Sequence, residues 1–328
     1  MKVLVTGADG LLGSSLVREL LEQGHSTRVL VQPASKSPTL KGLALERICA
    51  NLPEDEAVLR AAVTGCDGVF HCAAITNQRA PAQLTWRINC EGAQKILDAC
   101  LQAGVSKLVF VGSASSFQFG PIDRPGNESG GFPREYRGVT YMESKHKAMG
   151  LVLDYVRQNG LNAVVVCPTF MIGPYDAWPS SGELIRQFIS RRLRTVTGGG
   201  RNFAHPRDVA RAMVAALERG RSGECYILGG VNLTYMDFFT KVARIAGLTP
   251  PRIVLPRAVV LAGGSAGSLY ERISGKRALI NLNLARLSLL GTYYSPAKAI
   301  KELGLAQTPI DIAIEESIRS LKEYGHLK

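Results

Sequence analysis

Apolar and polar positions follow two different periods along much of the chain. Short runs of β-branched residues alternate with longer stretches in which apolar residues recur at helical spacing, as Leu12, Leu16 and Leu20 do. The pattern predicts strands at residues 2–6, 27–31, 47–50, 68–72, 107–111, 162–167 and 224–228. It predicts helices at residues 11–23, 54–63, 83–103, 139–158 and 207–219. This alternation predicts an α/β fold, a Rossmann-type doubly wound parallel sheet with helices on both faces.

The rest of the chain lacks this regular alternation. We expect a dinucleotide-binding domain formed by residues 1–168 and 206–228, and a smaller, discontinuous substrate-binding domain formed by residues 169–205 and 229–328. Residues 258–269 are the richest apolar stretch, but they are fewer than the roughly 18–20 residues that a membrane span requires. The stretch is compatible with a lipid-like or aromatic substrate, and we interpret it as plain helix core.

Composition excludes several classes of function. The net charge is +12, but the basic residues are scattered, and the tight cluster of Arg191, Arg192 and Arg194 has no interleaved aromatic residues. We therefore expect no nucleic-acid partner, and an anionic cofactor instead. The seven cysteines form no Cys-x-x-Cys pair, which indicates reduced, buried thiols. The five histidines show no metal-ligand spacing, so no metal site is predicted. With no signal-peptide pattern and no membrane span, we expect a cytoplasmic protein.

A glycine-rich turn joins the first predicted strand to the first predicted helix. Gly7 permits a tight turn, Gly10 allows a pyrophosphate to approach the backbone, and Gly13 allows the helix to pack close to the strand. The helix N-terminus offers free N–H groups and a partial positive charge to phosphate groups. The turn predicts dinucleotide binding by Gly7, Asp9, Gly10, Leu11, Leu12 and Gly13.

The end of the second predicted strand bears on the choice of dinucleotide. An Asp or Glu at this position holds the adenosine ribose hydroxyls of NAD. Here the position is occupied by Gln32, and Lys36 follows a short loop. No carboxylate is present at this position to repel the 2′-phosphate of NADP, and the Lys36 ammonium group would attract that phosphate. The sequence therefore favours NADP as the cofactor, with NAD as the alternative.

Tyr141 and Lys145 stand four residues apart near the start of a predicted helix and therefore share one face. Free tyrosine titrates near 10, and both a neighbouring ammonium group and an oxidised nicotinamide favour its phenolate. Tyr294 and Lys298 repeat the spacing, but a proline stands between them and no comparable strand precedes them. Upstream of Tyr141, a serine cluster at residues 113–116 follows the fifth predicted strand, at the sheet edge where open α/β sheets bind ligands. Tyr141 is thus the predicted acid/base.

Together these features resemble the extended short-chain dehydrogenase/reductase family, within the NAD-dependent epimerase/dehydratase superfamily. The resemblance covers nearly the whole chain and is carried by the glycine-rich turn, the serine cluster, the Tyr141–Lys145 pair, and residues 71–74, 89–92 and 168–174. Residues 225–230 and 298–304 are similar to landmarks of the dihydroflavonol-reductase and 3β-hydroxysteroid-dehydrogenase-like branch.

The resemblance implies further roles. Phe119 and Gly120 follow Ser115 at the spacing that marks the catalytic serine, although Phe119 stands where tyrosine is usual, and Asn51 stands where aspartate is usual. Relatives often form homodimers through the two helices that correspond to residues 83–103 and 139–158. Besides the turn and the loop after the second strand, the implied cofactor contacts are Asn51, Leu52, His71, Ala73, Ala74, Tyr141, Lys145, Pro168 and Met171.

Three functions follow from these observations. The first is NADP(H)-dependent interconversion of a ketone and a secondary alcohol, in which Tyr141 transfers the proton, Lys145 tunes it and Ser115 holds the oxygen. The second is an NAD-dependent sugar-nucleotide epimerase or dehydratase. The third is a non-catalytic NADP-binding sensor. The first two act on a small-molecule substrate. Cations for a nucleotide diphosphate would come from Arg186, Arg191, Arg192, Arg194 and Arg201.

Overall fold

Parallel strands form the centre of the molecule. The computed structural model describes residues 1–191, 193–278 and 280–327. Its strands are β1 (Lys2–Thr6), β2 (Ser26–Val31), β3 (Glu46–Cys49), β4 (Gly68–His71), β5 (Lys107–Val111), β6 (Ala163–Pro168), β7 (Phe170–Met171), β8 (Thr195–Val196), β9 (Gly200–Ala204), β10 (Cys225–Leu228), β11 (Val231–Thr234), β12 (Ile253–Val254) and β13 (Gly291–Thr292). Seven of them form one parallel sheet in the order β10-β6-β5-β4-β1-β2-β3.

Helices cover both faces of this sheet. The helices are α1 (Leu11–Glu22), α2 (Glu56–Val63), α3 (Ala82–Trp86), α4 (Gly92–Ala103), α5 (Thr140–Asn159), α6 (Glu183–Arg191), α7 (Pro206–Arg219), α8 (Tyr235–Ile245), α9 (Arg257–Ser274), α10 (Leu282–Ser288), α11 (Ala297–Leu303) and α12 (Ile310–Glu323). On β1, Val3 and Val5 face the core shared with α1, α7 and α11, whereas Leu4 faces α2, α4 and α5. Since successive strand residues point to opposite faces, both cores require the near-continuous apolar runs seen in the sequence.

The predicted Rossmann-type fold is confirmed. In the sheet region, each predicted strand or helix begins and ends within two residues of the observed bounds. The predicted helix at 83–103 is the exception in form. It is divided into α3, a π-helical turn at Arg87–Glu91, and α4. The buried Asn89 lies in this turn, and its side chain bonds the backbone N–H and C=O of Ile75 at 2.8 and 3.1 Å.

The strand order reverses between β1 and β4. From β1 the chain proceeds to β2 and β3 on one side, and then returns to β4, β5 and β6 on the other. Neighbouring helices consequently diverge at the carboxyl ends of β1 and β4, which leaves a crevice. In parallel α/β sheets this switch point is where ligands bind.

The less regular part of the chain forms smaller sheets of its own. Here β9 pairs with β7, β11 and β13, and β12 pairs with β8. Phe203 of β9 stacks on Phe238 of α8 with ring centroids 4.1 Å apart, within a separate apolar core. These strands have two to five residues, too few for a period of two to be recognised in the sequence.

The apolar stretch at 258–269 does form a helix, α9, but its interpretation as helix core was wrong. Val260 and Gly264 are its buried residues, whereas Val259, Leu269 and Ile273 are 53%, 58% and 78% exposed. Across the described ranges, no helix is both long enough and apolar enough to cross a membrane.

The cysteines are all free thiols, and they are less uniformly buried than expected. Cys66, Cys100 and Cys167 are buried, but Cys49 at the end of β3 is exposed. Arg192, one of the predicted diphosphate-binding arginines, lies outside the described residues.

Candidate active site

The glycine-rich turn leaves the start of α1 open. Gly7 has a positive φ of 64°, and a Cβ on Gly13 would lie 2.1 Å from the Gly7 carbonyl oxygen, so neither position tolerates a side chain. Gly10 precedes α1 without a side-chain cap, and a Cβ there would meet only the Gly7 oxygen, at 3.5 Å. The space above the first-turn amides of Leu11 and Leu12 therefore fits a pyrophosphate.

Asp9 lies beside the loop that follows β2. Its carboxylate accepts hydrogen bonds from the hydroxyl groups of Ser35 and Ser37, the latter at 3.3 Å. Gln32 and Lys36 in this loop are exposed. The sequence places no carboxylate at the end of β2, but the fold brings one there from the turn, because β1 pairs directly with β2.

Two further predicted cofactor contacts lie along the same sheet edge. Asn51 and Leu52 follow β3, which pairs with β2. The Asn51 backbone N–H and side-chain amide both donate to the Asp55 carboxylate, at 2.7 and 3.4 Å. Leu52 is buried.

The end of β4 packs against the turn. Thr6 Oγ1 lies 2.8 Å from His71 Nδ1 and accepts from the Ala73 N–H at 3.3 Å. Burial lowers the pKa of His71 to about 3, so its imidazole is neutral. Ala73 and Ala74 are half-buried beside Gly7, where a Cβ would lie 2.7 Å from the Ala73 nitrogen. These residues thus border the crevice at the switch point.

Tyr141 meets the serine cluster at the end of β5. A short 3₁₀ turn at Ala114–Ser116 brings the Ser113 and Ser115 hydroxyl oxygens to 2.8 Å from each other. The Ser113 side chain also acts on the Tyr141 phenol, whose pKa it lowers. Ser113 therefore stands beside both members of the predicted pair, Ser115 and Tyr141. Sequence reasoning did not single out Ser113, although it lies within the cluster.

Lys145 is buried one turn after Tyr141. Its ammonium donates to the Val111 carbonyl oxygen at 2.5 Å and lies 5.3 Å from the centre of the Phe110 ring. Burial lowers the pKa of Lys145 to about 8, so it is cationic at neutral pH.

The protonation of Tyr141 differs from the sequence expectation. Burial raises the pKa of Tyr141 above its ordinary value of 10, and the Ser113 side chain opposes this only in part. The surrounding protein groups therefore keep Tyr141 a neutral phenol at neutral pH, where the Tyr141–Lys145 spacing suggested a phenolate. A half-buried neutral phenol beside two hydroxyl groups is prepared to donate a proton.

Asn89 fixes the start of α5, where Tyr141 lies. Its side-chain amide donates to Ser144 Oγ at 3.0 Å, and Ser144 Oγ in turn donates to the Tyr141 carbonyl oxygen at 2.8 Å. Asn89 also holds Ile75 in the segment that follows His71. One buried amide therefore connects the tyrosine-bearing helix to the edge of the crevice.

The remaining predicted cofactor contacts lie on β6 and β7. Pro168 ends β6 beside β5, and Met171 follows it in β7, half-buried. The second Tyr–Lys pair is structural, because the buried Tyr294 donates to the Phe117 carbonyl at 3.2 Å and Lys298 binds Glu224 at 2.5 Å.

Two of the predicted diphosphate-binding arginines, Arg186 and Arg201, have separate partners. Arg186 pairs with Glu183 at 2.6 Å within α6, and Arg201 donates to the Tyr235 hydroxyl at 2.8 Å with its guanidinium 4.8 Å from the Phe170 ring centre. No three His, Cys, Asp or Glu residues are grouped to hold a metal ion in the part of the chain that the structure describes.

Comparison with known proteins identifies relatives that cover the whole fold. Residues 3–229 match the NAD dependent epimerase/dehydratase family. A 4-hydroxy-2-methyl-3-oxo-4-farnesyl-3,4-dihydroquinoline-1-oxide ketoreductase from Stigmatella aurantiaca is 31% identical, over 99% of this chain and 97% of its own length. Dihydroflavonol 4-reductase from Hordeum vulgare is 29% identical over 71% of each chain.

A solved structure of a related protein has the same fold. A nucleoside-diphosphate-sugar epimerase from Pseudomonas aeruginosa, PA4631, superposes with a TM-score of 0.82 at 27% identity, covering 100% of this chain and 99% of that one. The expected family resemblance is confirmed by these matches. The chain belongs to the NAD-dependent epimerase/dehydratase family and is an NAD(P)-dependent oxidoreductase of the extended short-chain dehydrogenase/reductase type.

Proposed function

We propose that this enzyme reduces a ketone to a secondary alcohol. Reduction requires a proton donor beside the carbonyl oxygen, and the observation that carries the proposal is the grouping of the Ser115 and Ser113 hydroxyl groups with a neutral Tyr141. A sensor that only binds a dinucleotide has no need of Ser115, Tyr141 and Lys145 together. Their convergence at one edge of the sheet supports catalysis over that alternative.

Each catalytic residue has a distinct role in this reduction. When bound, the reduced nicotinamide supplies a hydride to the carbonyl carbon. Ser115 donates a hydrogen bond to the carbonyl oxygen, and Tyr141 donates its phenolic proton as negative charge builds there. The Ser113 side chain and the positive charge of Lys145 then stabilise the phenolate that remains.

The cofactor would lie across the switch point. The turn amides at Leu11 and Leu12 would hold its pyrophosphate, Asn51 and Leu52 would border the adenine, and the segment from Pro168 to Met171 would border the nicotinamide. Residues 169–205 and 229–328 would form the substrate-binding part. The dinucleotide requirement and the free cysteines support a cytoplasmic enzyme, and α4 with α5 supplies the proposed homodimer interface.

The substrate we propose is an apolar ketone. Tyr141 lies in a cluster of apolar and aromatic side chains made by Phe119, Phe132, Tyr136, Val139, Met142, Leu287 and Leu290. Desolvating an apolar ketone against such a surface is favourable. The farnesyl group in the name of the Stigmatella ketoreductase supports the same class.

A ketone panel tests the proposal. Purified enzyme with NADH or NADPH is given cyclic, aromatic and isoprenoid ketones, and the absorbance of the reduced nicotinamide is followed. We expect stoichiometric loss of that absorbance and formation of the secondary alcohol, with apolar ketones preferred. In parallel, nucleotide-diphosphate sugars are examined by NMR. A new sugar epimer without net cofactor consumption, together with inert ketones, would establish epimerase chemistry instead, which the likeness to PA4631 supports as the second candidate.

The adenosine ribose site supports NAD(H) over the NADP(H) favoured by the sequence. The Asp9 carboxylate, held by Ser35 and Ser37, would accept a hydrogen bond from a ribose 2′-hydroxyl and repel a 2′-phosphate. In Asp9→Asn, we expect NADPH to bind about tenfold more tightly relative to NADH, because this like-charge repulsion is removed.

Fluorescence titration of NADH and NADPH without substrate measures both dissociation constants. Glu22→Gln, at the far end of α1, is the control for a change of net charge and should leave the ratio unaltered. A wild-type preference for NADPH that survives Asp9→Asn would contradict the assignment and leave Lys36 as the specificity residue.

A further inference from the structure

Helix α9 has an unusual distribution of side chains. Its small residues face the protein: a Cβ on Gly264 would lie 2.5 Å from Ala285 Cβ, and one on Gly267 would lie 1.9 Å from the Ile280 carbonyl oxygen. Ser268 Oγ accepts the Leu282 N–H at 2.9 Å on the same side. Apart from the buried Val260, the packed face of α9 is therefore made mainly of small residues, and several larger apolar side chains are left on the opposite face.

That opposite face is a continuous apolar stripe. Its members recur at intervals of three and four residues, as positions on one helical face must. We define the α9 stripe as Val259, Ala262, Ala266, Leu269, Tyr270 and Ile273, all of them exposed. At a rise of 1.5 Å per residue it is about 21 Å long. Ile253 and Val254 of β12, just before α9, are also exposed, at 55% and 48%.

The segment of the chain that carries the stripe is strongly basic. Residues 250–290 contain six basic residues and one acidic residue. The acidic residue, Glu271, is turned inward, where it accepts from the Ala278 N–H at 3.0 Å and the Asn281 amide at 3.2 Å. The basic residues are all exposed: Arg252, Arg257, Arg272, Lys276, Arg277 and Arg286.

We propose that the α9 stripe, with the basic residues of its segment, docks the enzyme onto an anionic lipid bilayer. An exposed apolar face bordered by Arg and Lys is the pattern of a helix that lies in the membrane interface. Each basic residue near an anionic surface increases partitioning by about fivefold. A second copy of this chain would instead bring two strongly basic surfaces together, which like-charge repulsion opposes.

The docked surface lies next to the crevice. Arg79, in the segment that follows Ala73 and Ala74, donates to the Ala278 carbonyl at 2.8 Å, and Arg277 donates to the Arg79 carbonyl at 3.3 Å. The segment that follows α9 is thus bonded to the loop at the edge of the candidate active site. Docking would hold that edge close to the bilayer, where apolar molecules concentrate. The docking itself does not depend on the proposed ketone reduction.

Flotation with lipid vesicles tests the docking. The full-length enzyme is mixed with vesicles of phosphatidylcholine alone, or of phosphatidylcholine and phosphatidylglycerol in equal parts. We expect binding to the anionic vesicles that weakens as salt is added. The double variant Leu269→Ser/Ile273→Ser should bind at least about tenfold less, because two apolar side chains no longer enter the interface. The triple variant Arg272→Gln/Lys276→Gln/Arg277→Gln should lose the preference for anionic vesicles.

A matched control and a second measurement keep the outcome decisive. Ile312→Ser removes another exposed isoleucine, on α12, and should not change vesicle binding. NADH affinity and the far-ultraviolet spectrum verify that each variant is folded. Absence of wild-type binding to anionic vesicles overturns the proposal. If, in addition, Leu269→Ser/Ile273→Ser converts a dimer to a monomer in sedimentation, the stripe is an interface between two copies.

Discussion

Tyr141→Phe is expected to lower kcat/KM for ketone reduction by about a thousandfold, because it removes the proton donor and leaves the aromatic ring in place. The ring packs in the cluster with Tyr136 and Met142, so the variant should fold normally. NADH affinity should be unchanged, since the phenol is needed for proton transfer. Steady-state reduction rates, compared with fluorescence titration of NADH, separate the two effects.

Tyr294→Phe is the matched control for this experiment. Tyr294 belongs to the other Tyr–Lys pair, and its hydroxyl group bonds the Phe117 carbonyl in the protein interior. Its removal should cost about 1 kcal/mol of stability and little activity. A Tyr141→Phe enzyme that retains more than about a tenth of the wild-type rate would remove Tyr141 from the mechanism, and with it the assignment of the proton donor.

Lys145→Met should make the protein more stable and about a hundredfold less active. Burial holds the pKa of the Lys145 ammonium at about 8, well below 10.5, so the folded state disfavours its charge. At 1.36 kcal/mol per pKa unit, this amounts to about 3 kcal/mol at neutral pH. Losing the hydrogen bond to Val111 offsets about 1 kcal/mol. The activity falls because the Tyr141 phenolate loses its neighbouring cation.

The pH dependence provides a second check on this prediction. Below pH 8 the lysine is protonated in both folded and unfolded chains, so the full penalty is present. As pH rises from 8 towards 10.5 the folded state loses the proton first, and wild-type stability should rise towards that of the variant. Denaturant unfolding at neutral and alkaline pH measures this. Lys147→Met, exposed on the same helix, should show no such convergence. A destabilised Lys145→Met protein would contradict the argument.

The sheet and the turn were predictable because their determinants are local. A buried strand of a parallel sheet needs an uninterrupted apolar run, and the spacing of Gly7, Gly10 and Gly13 is set by one turn of backbone. The placement of Tyr141 and Lys145 on one face follows from helical geometry alone. Each of these features is specified within a few consecutive residues.

The features that were missed depend on contacts between distant segments. Asp9 reaches Ser35 and Ser37 only after β1 and β2 have paired. The outward face of α9 was interpreted as core because the sequence does not show that its small residues pack against α10. Ser115 was chosen for its spacing to Phe119 and Gly120, whereas the contact of its hydroxyl group with Ser113 depends on a 3₁₀ turn that has no strong sequence signal.

After residue 205 the chain returns to the central sheet, and this limits where the protein can be truncated. A fragment that stops at Pro168 would lack α7, which covers β1 and β5 with Val209, Met213 and their neighbours, and would lack β10, which pairs with β6. In such a fragment one apolar face of the sheet would be exposed to solvent. Strand β6 would become an unpaired edge strand, to which a strand of another chain could pair. A fragment intended to keep the complete central sheet would therefore need residues 206–228 in addition to residues 1–168.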